Sequence, residues 1–172
     1  KSSEMILANL EEFYLFDSSV GYWKMKGNPS VNFIQDKYSI DSILLTNADQ
    51  SLILNGNIGS NVVDSLSLEI QDLKLSSLPL LFGINKKNTT MEGVLNAHIN
   101  FQSLLSKPQL FNEFNIDNFI FNLVPIGDVN FHSLWQESSN KFILNGGLVN
   151  ENNHQEIQLI DCYFYPNNNK KL

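Results

Sequence analysis

Regular alternation of apolar and polar residues is the dominant pattern of this chain. It is clearest in residues 91–101, which read MEGVLNAHINF. There the apolar residues at 95, 97, 99 and 101 alternate with the polar residues at 96, 98 and 100. Because successive side chains of a β-strand point to opposite faces, this period of two predicts strands with one apolar and one polar side. The predicted apolar side comprises Leu66, Leu68, Ile70, Leu95, Ala97, Ile99, Phe101, Phe119, Phe121, Leu123, Val129, Phe131, Trp135, Phe142 and Leu144.

Helical periodicity is confined to the N-terminal segment. Residues 1–10, KSSEMILANL, place Ser3 where an N-cap is needed and Met5, Ile6 and Leu10 on one side, so a short helix is predicted there. In the rest of the chain, clusters of Asn, Ser and Asp punctuate the alternating stretches, as turns between strands require. The predicted fold class is therefore all-β, with one short N-terminal helix at most.

A weak internal repeat accompanies the strands. The tetrapeptide Ile-Leu-Asn-Gly occurs at residues 53–56 and again at 143–146. A glycine at the end of such a motif marks a place where a strand turns, bulges or approaches another strand closely. Strand units that recur at a loose spacing are typical of a stacked, quasi-one-dimensional architecture.

The order of these features resembles the TamB and AsmA-like proteins of Gram-negative envelopes. The shared order of motifs is a glycine followed by an alternating strand, a short loop with Ser-x-Pro-x-Leu, a second alternating strand, a glycine, a third strand and Asn-Gly. In this chain these motifs lie at residues 93–101, 106–110, 114–123, 127–135 and 142–147. The resemblance covers residues 62–148 best, and Ser-Leu-Leu at 103–105 stands where the family often has a glycine.

The resemblance implies a fold, a location and a function. It implies an elongated, curled antiparallel or mixed sheet, a β-taco or β-solenoid-like trough, whose apolar concave face is the working surface. Residues 1–172 are then expected to be a single section of a longer repetitive, inner-membrane-anchored periplasmic protein. The apolar residues named above would form a groove for phospholipid acyl chains or for unfolded outer-membrane protein strands, with an outer-membrane assembly barrel protein as a further partner.

Composition and charge argue against nucleic-acid binding. The net charge is −7 and all 11 basic residues are lysine, so arginine, the usual bidentate reader of phosphate and guanine, is absent. The single cysteine, Cys162, excludes an internal disulfide and is interpreted as a small apolar residue of a strand. No apolar run approaches the roughly 20 residues that a membrane-spanning helix needs.

Catalytic and metal-binding patterns are also missing from the sequence. His98 and His132 fall on the polar side of their strands, and no His-x-His, His-x-x-x-His or Cys-x-x-Cys spacing is present. Glu11 and Glu12 are adjacent, so on a strand their carboxylates would point to opposite faces. Neither a Gly-x-Ser-x-Gly nor a phosphate-binding glycine loop occurs. We therefore expect no enzyme activity, no cofactor and no metal site.

Two other functions stay open at this point. One is a β-sandwich or β-solenoid extracellular binding module, for example a carbohydrate-binding or adhesin-like domain, in which Tyr22 and Trp23 would form an exposed platform. The other is a structural spacer with a closed, filled interior. The orientation of the aromatic side chains distinguishes these alternatives from an open apolar groove, because phenylalanine lacks the polar tip useful at a wet sugar platform.

Overall fold

A computed structural model describes residues 5–17, 21–35, 37–59, 64–78, 90–103, 109–136, 139, 141–150 and 155–164. Most of the residues in these ranges form β-strands, and a 3₁₀ turn follows the seventh strand. The strands are β1 (Met5–Asn9), β2 (Tyr14–Asp17), β3 (Gly21–Lys26), β4 (Ser30–Ile34), β5 (Lys37–Asn47), β6 (Gln50–Gly59), β7 (Ser65–Lys74), β8 (Met91–Gln102), β9 (Gln109–Phe121), β10 (Val124–Gln136), β11 (Lys141–Asn150) and β12 (Gln155–Phe164), and the 3₁₀ turn is Leu75–Ser77.

The strands form one open antiparallel sheet, which confirms the predicted all-β curled sheet. From β4 onwards each strand pairs with the next one in the chain, and the main path runs β1-β4-β5-β6-β7-β8-β9-β10-β11-β12. Strands β2 and β3 lie off this path: β2 pairs with β3, and β3 pairs with β5 beside β4. Neighbour-to-neighbour pairing of this kind produces an elongated sheet in which most contacts are between adjacent strands.

The Ile-Leu-Asn-Gly repeat has the same structural role at both places. In β6, Leu54 and Gly56 lie two residues apart opposite Ile43 and Ile40 of β5, which are three apart. In β11, Leu144 and Gly146 likewise lie opposite Cys162 and Leu159 of β12. A straight strand therefore faces a bulged partner in each copy, and bulges of this kind increase the twist and curvature of a sheet. A Cβ on either glycine would overlap a neighbouring backbone carbonyl, that of Ser65 or of Asn130.

The predicted N-terminal helix is wrong. Met5–Asn9 forms β1 and pairs with β4 along its whole length, from Met5–Ile34 to Asn9–Ser30. A helix of fewer than about 12 residues is marginal in water, so the backbone hydrogen bonds offered by β4 outweigh a weak helical pattern. Residues 1–4, the Ser-Lys-Pro break at 106–108 and the side chain of Cys162 lie outside the described part of the chain.

Candidate functional site: the concave apolar face

The predicted apolar residues of β7 and β8 lie on one face of the sheet. Residues that pair directly across two antiparallel strands share a face, and the register pairs Leu66 with Phe101, Leu68 with Ile99 and Ile70 with Ala97. After a bulge at Gln71–Asp72, the same face continues with Leu73 opposite Leu95.

The face continues through β9, β10 and β11. Ala97 pairs with Phe114, which pairs with Phe131, and the ring centroids of these two phenylalanines are 5.3 Å apart. Trp135 pairs with Phe142, and Val129 with Leu148. Most of these side chains are partly exposed, so the apolar surface extends across at least five strands without being sealed from solvent.

A bulge in β9 explains which residues the sequence pattern missed. Before the bulge the even-numbered residues Phe114 and Ile116 lie on this face, and after it the odd-numbered residues Phe119 and Phe121 do. The change occurs where Asn118 adopts φ 53° and the register with β8 shifts at Gly93. Period-two counting selected Phe119 and Phe121 and therefore left out Phe114, Ile116 and Leu110. The sequence does contain a signal for them, because the apolar residues Leu110, Phe114 and Ile116 all have even numbers in the first part of the strand.

Leu123 does not belong to the predicted apolar face. It lies with Asn122 in the two-residue turn between β9 and β10, where both residues have positive φ, and its side chain is 82% exposed. Phe121 ends β9, is also exposed and contacts Phe119 with 6.3 Å between ring centroids. The backbone of Phe142 lies in β11, but its side chain is outside the described set.

The sheet curls towards this apolar side and meets itself at one end. Trp23 of β3 is completely buried against Ile70, Leu73 and Ala97 of β7 and β8, although β5 and β6 separate β3 from β7 in the sheet. The apolar face is therefore concave, and we call it the concave face. Leu15 pairs with Trp23 and packs against the same cluster.

Polar groups close the end of the concave face beside this cluster. The buried Gln50 accepts hydrogen bonds through Oε1 from the backbone N–H of Lys74 at 2.9 Å and from Ser77 Oγ at 3.4 Å. Leu75, in the 3₁₀ turn, is buried next to Ser77. These contacts satisfy backbone groups where β7 ends, and the buried residues cover the concave face beside the Trp23 cluster. We call this the blind end of the concave face.

One polar pair interrupts the concave face. Asn112 and Ser133 pair across β9 and β10 between Ile99 and Leu144, and Ser133 Oγ donates a hydrogen bond to Asn112 Oδ1. This hydrogen bond pairs the hydroxyl donor of Ser133 with the amide oxygen of Asn112, so these two groups are satisfied within the face.

The opposite, convex face carries a polar row with His98 and His132, as predicted for both, beside an apolar row of Phe111, Leu134 and Ile143. Both histidines are exposed and lie in one cross-strand row that reads Glu69, His98, Glu113 and His132. Ser67 Oγ lies 3.4 Å from His98 Nε2, and Gln71 Nε2 donates to Glu69 Oε1 at 2.7 Å. Within the described ranges, no three His, Cys, Asp or Glu residues are arranged to hold a metal ion.

Trp23 and Tyr22 do not form the exposed platform that a sugar-binding module would need. Trp23 is buried, and the exposed Tyr22 stacks on Tyr14 with ring centroids 5.4 Å apart and planes at 28°. A hydrogen bond to Glu12 raises the pKa of Tyr14 to about 12, so this phenol stays neutral. Stacking on each other leaves each of these two rings only one free face for a ligand.

The described part of the chain includes no helix long and apolar enough to span a membrane. Comparison with protein-family models, with curated proteins and with solved structures finds no match to this chain.

Proposed function

We propose that this chain is a non-enzymatic section of a periplasm-spanning envelope-biogenesis protein, and that it holds lipid acyl chains against its concave face. The observation that carries the proposal is the continuous apolar surface from β7 to β11, which includes the paired rings of Phe114 and Phe131. Inter-membrane lipid transport is the process in which such a surface is useful, since a sheet that shields acyl chains lowers the cost of moving them through water.

The size of the apolar surface supports a ligand rather than bare solvent. The described part of the chain buries six hydrophobic side chains, Trp23, Ile70, Leu73, Leu75, Ala97 and Val129. Covering each further aromatic or aliphatic side chain of the concave face contributes roughly 1.5–3 kcal/mol at full burial. Large exposed apolar patches on proteins are commonly binding surfaces, and an acyl chain matches this one because it needs few hydrogen-bond partners.

Unfolded outer-membrane protein strands are the second candidate cargo. The observation that favours them is the edge of β12, which among the described strands pairs only with β11. An unpaired strand edge offers backbone donors and acceptors to an incoming strand. A binding assay with lipid and with extended peptide separates the two cargoes.

A matched pair of substitutions on β10 tests the proposal. Phe131→Asp places a carboxylate on the concave face, whereas Leu134→Asp introduces the same group on the convex face of the same strand. Oleate binding is measured by calorimetry, with far-UV circular dichroism as the folding control. We expect Phe131→Asp to weaken binding at least about tenfold, because an ionised carboxylate is costly to bury beside an acyl chain, and Leu134→Asp to leave it unchanged.

Equal affinity of the two folded variants, or no oleate binding by the unsubstituted chain, would contradict the proposal. If Phe131→Asp fails to fold, Phe131→Ala gives the same comparison with a smaller expected loss. Lipid extraction and native mass spectrometry of protein purified from its host then identify the bound acyl species.

A further inference from the structure

The β2–β3 hairpin covers one end of the concave face although it belongs to the edge of the sheet. It comprises Tyr14–Asp17 and Gly21–Lys26, held together by four residue pairs from Tyr14–Lys24 to Asp17–Gly21. Its attachment to the rest of the sheet is short. Three pairs join β3 to β5, from Lys24–Thr46 to Lys26–Leu44.

The inner side of this hairpin replaces solvent on the apolar surface of β7 and β8. Trp23 is 0% exposed, and its indole packs against Ile70, Leu73 and Ala97, with Leu15 beside it. These three partners lie on the same face of the sheet as Phe114 and Phe131, which extend the concave face across β9 and β10. The indole therefore occupies the blind end of the surface that we propose for acyl chains.

The docked position leaves a polar group of the hairpin unsatisfied. The Nε1 atom of Trp23 is buried and has no hydrogen-bond partner. An N–H without an acceptor destabilises the buried state relative to a state in which water reaches it. The apolar body of the indole thus favours docking while its N–H opposes it, so an all-carbon chain is the better occupant of this end.

The hairpin can retain its own structure away from the concave face. On its outer side Tyr14 stacks on Tyr22, and Phe16 pairs with Tyr22 across the two strands. The backbone N–H of Met25 also donates to the Phe13 carbonyl at 3.0 Å. None of these contacts involves β7 or β8, so they persist if the inner side is released.

We infer that the β2–β3 hairpin is a displaceable plug, which fills the blind end of the groove in the ligand-free protein and is released when an acyl chain enters. The inference rests on the proposed function, and it adds that ligand binding and docking of Trp23 are mutually exclusive. Release needs the loss of the packing of Trp23 and Leu15 on the cluster, which includes Leu45 and Leu52, with the three pairs to β5 acting as the hinge. The close approach of Gly21 to the Asn47 side chain is lost as well. Entry of a chain is then coupled to exposure of one named indole.

Tryptophan fluorescence tests the plug directly. The chain has two tryptophans, so Trp135→Phe leaves Trp23 as the single emitter. This variant is titrated with oleate while calorimetry measures binding. Displacement predicts that the emission of Trp23 shifts to the red and that quenching by acrylamide increases at least about threefold at saturation, since a buried indole becomes solvent-accessible.

The outcomes separate the plug from the groove. Calorimetric binding of oleate with unchanged emission and quenching would overturn the plug and leave the proposed function standing. Absence of oleate binding by both this variant and the unsubstituted chain would overturn both ideas.

A second variant tests whether docking of the hairpin competes with oleate, by measuring the affinity for oleate. If docking of the hairpin competes with the ligand, Trp23→Ala raises the apparent affinity about tenfold, because the competent state is no longer a minor fraction. A weaker affinity would show that Trp23 is a wall of the binding site, which contradicts the inference. If Trp23→Ala does not fold, Leu15→Ala weakens docking while keeping the indole and predicts a smaller change in the same direction.

Discussion

Two identical substitutions on the concave face should have very different costs if that face is open. Ile70 in β7 and Ile157 in β12 both point to the concave side, since Ile157 pairs with Leu148, which pairs with Val129. Their surroundings differ: Ile70 is 7% exposed within the Trp23 cluster, whereas Ile157 is 54% exposed. Replacing each by alanine compares a packed with an open part of the same surface.

The expected difference follows from burial. Ile70→Ala removes a packed side chain and leaves a cavity, which costs about 2–5 kcal/mol of the free energy of unfolding. Ile157→Ala removes a side chain that has lost only about half of its contact with water, so its transfer contribution is at most about 1 kcal/mol. Both changes lose a β-branched residue from a strand, and that contribution largely cancels in the comparison.

Urea denaturation of the two variants and of the unsubstituted chain, followed by far-UV circular dichroism, measures the difference. A common slope of the free energy against urea concentration is the control that the unfolded states are comparable. A cost for Ile157→Ala equal to that for Ile70→Ala would refute the open face, because it would mean that this end of the sheet is covered in solution. Repeating the measurement over a range of protein concentrations shows whether a second copy is the cover.

Two further substitutions test the turns and close approaches of the sheet. Leu123→Gly should stabilise the protein by up to about 1 kcal/mol and raise its Tm by about 2–4 °C, because leucine is strained at φ 68°, and it should leave oleate affinity unchanged; a lower Tm or weaker binding would return Leu123 to the apolar face. Gly127→Ala should destabilise by about 3 kcal/mol or more in urea denaturation, since φ is +109° and the new Cβ would overlap the Val149 carbonyl; a loss below about 1 kcal/mol would show that β10 and β11 separate easily there.

The faces of the middle strands could be predicted from the sequence because each strand reports its own side-chain parity. Leu66 to Ile70 and Leu95 to Phe101 need no knowledge of their partners, and the register places both sets on one face. The same reasoning failed in β9, where the bulge at Asn118 moves the apolar set from even to odd numbers. A positive φ at an asparagine in mid-strand has no signature in hydrophobic alternation, although asparagine tolerates it better than most residues.

The short N-terminal strand shows a different limit. The spacing of Met5, Ile6 and Leu10 satisfies a helical pattern, yet residues 5–9 of such a short segment take the conformation that their neighbour β4 supports. Local propensity in a segment of this length contributes little compared with a full row of backbone hydrogen bonds. Which strand lies beside which is a tertiary fact that a single segment does not encode.

The position of Trp23 was the least predictable feature, and it has the largest consequence for the proposed function. In a sheet where strands pair mainly with their neighbours, stability is roughly the sum of adjacent contacts, and a groove of any length forms without closing on itself. The cluster of Trp23 with Ile70, Leu73 and Ala97 departs from this rule, since it joins strands that are not adjacent in the sheet. Under the proposed function, stability and capacity for an apolar ligand compete at this end, because an acyl chain would have to replace the contacts that Trp23 makes there. A ligand that binds only the released state would be bound more weakly by the factor that docking imposes, about tenfold in the prediction for Trp23→Ala, and the unsatisfied indole N–H lowers that factor below the value that full packing alone would give.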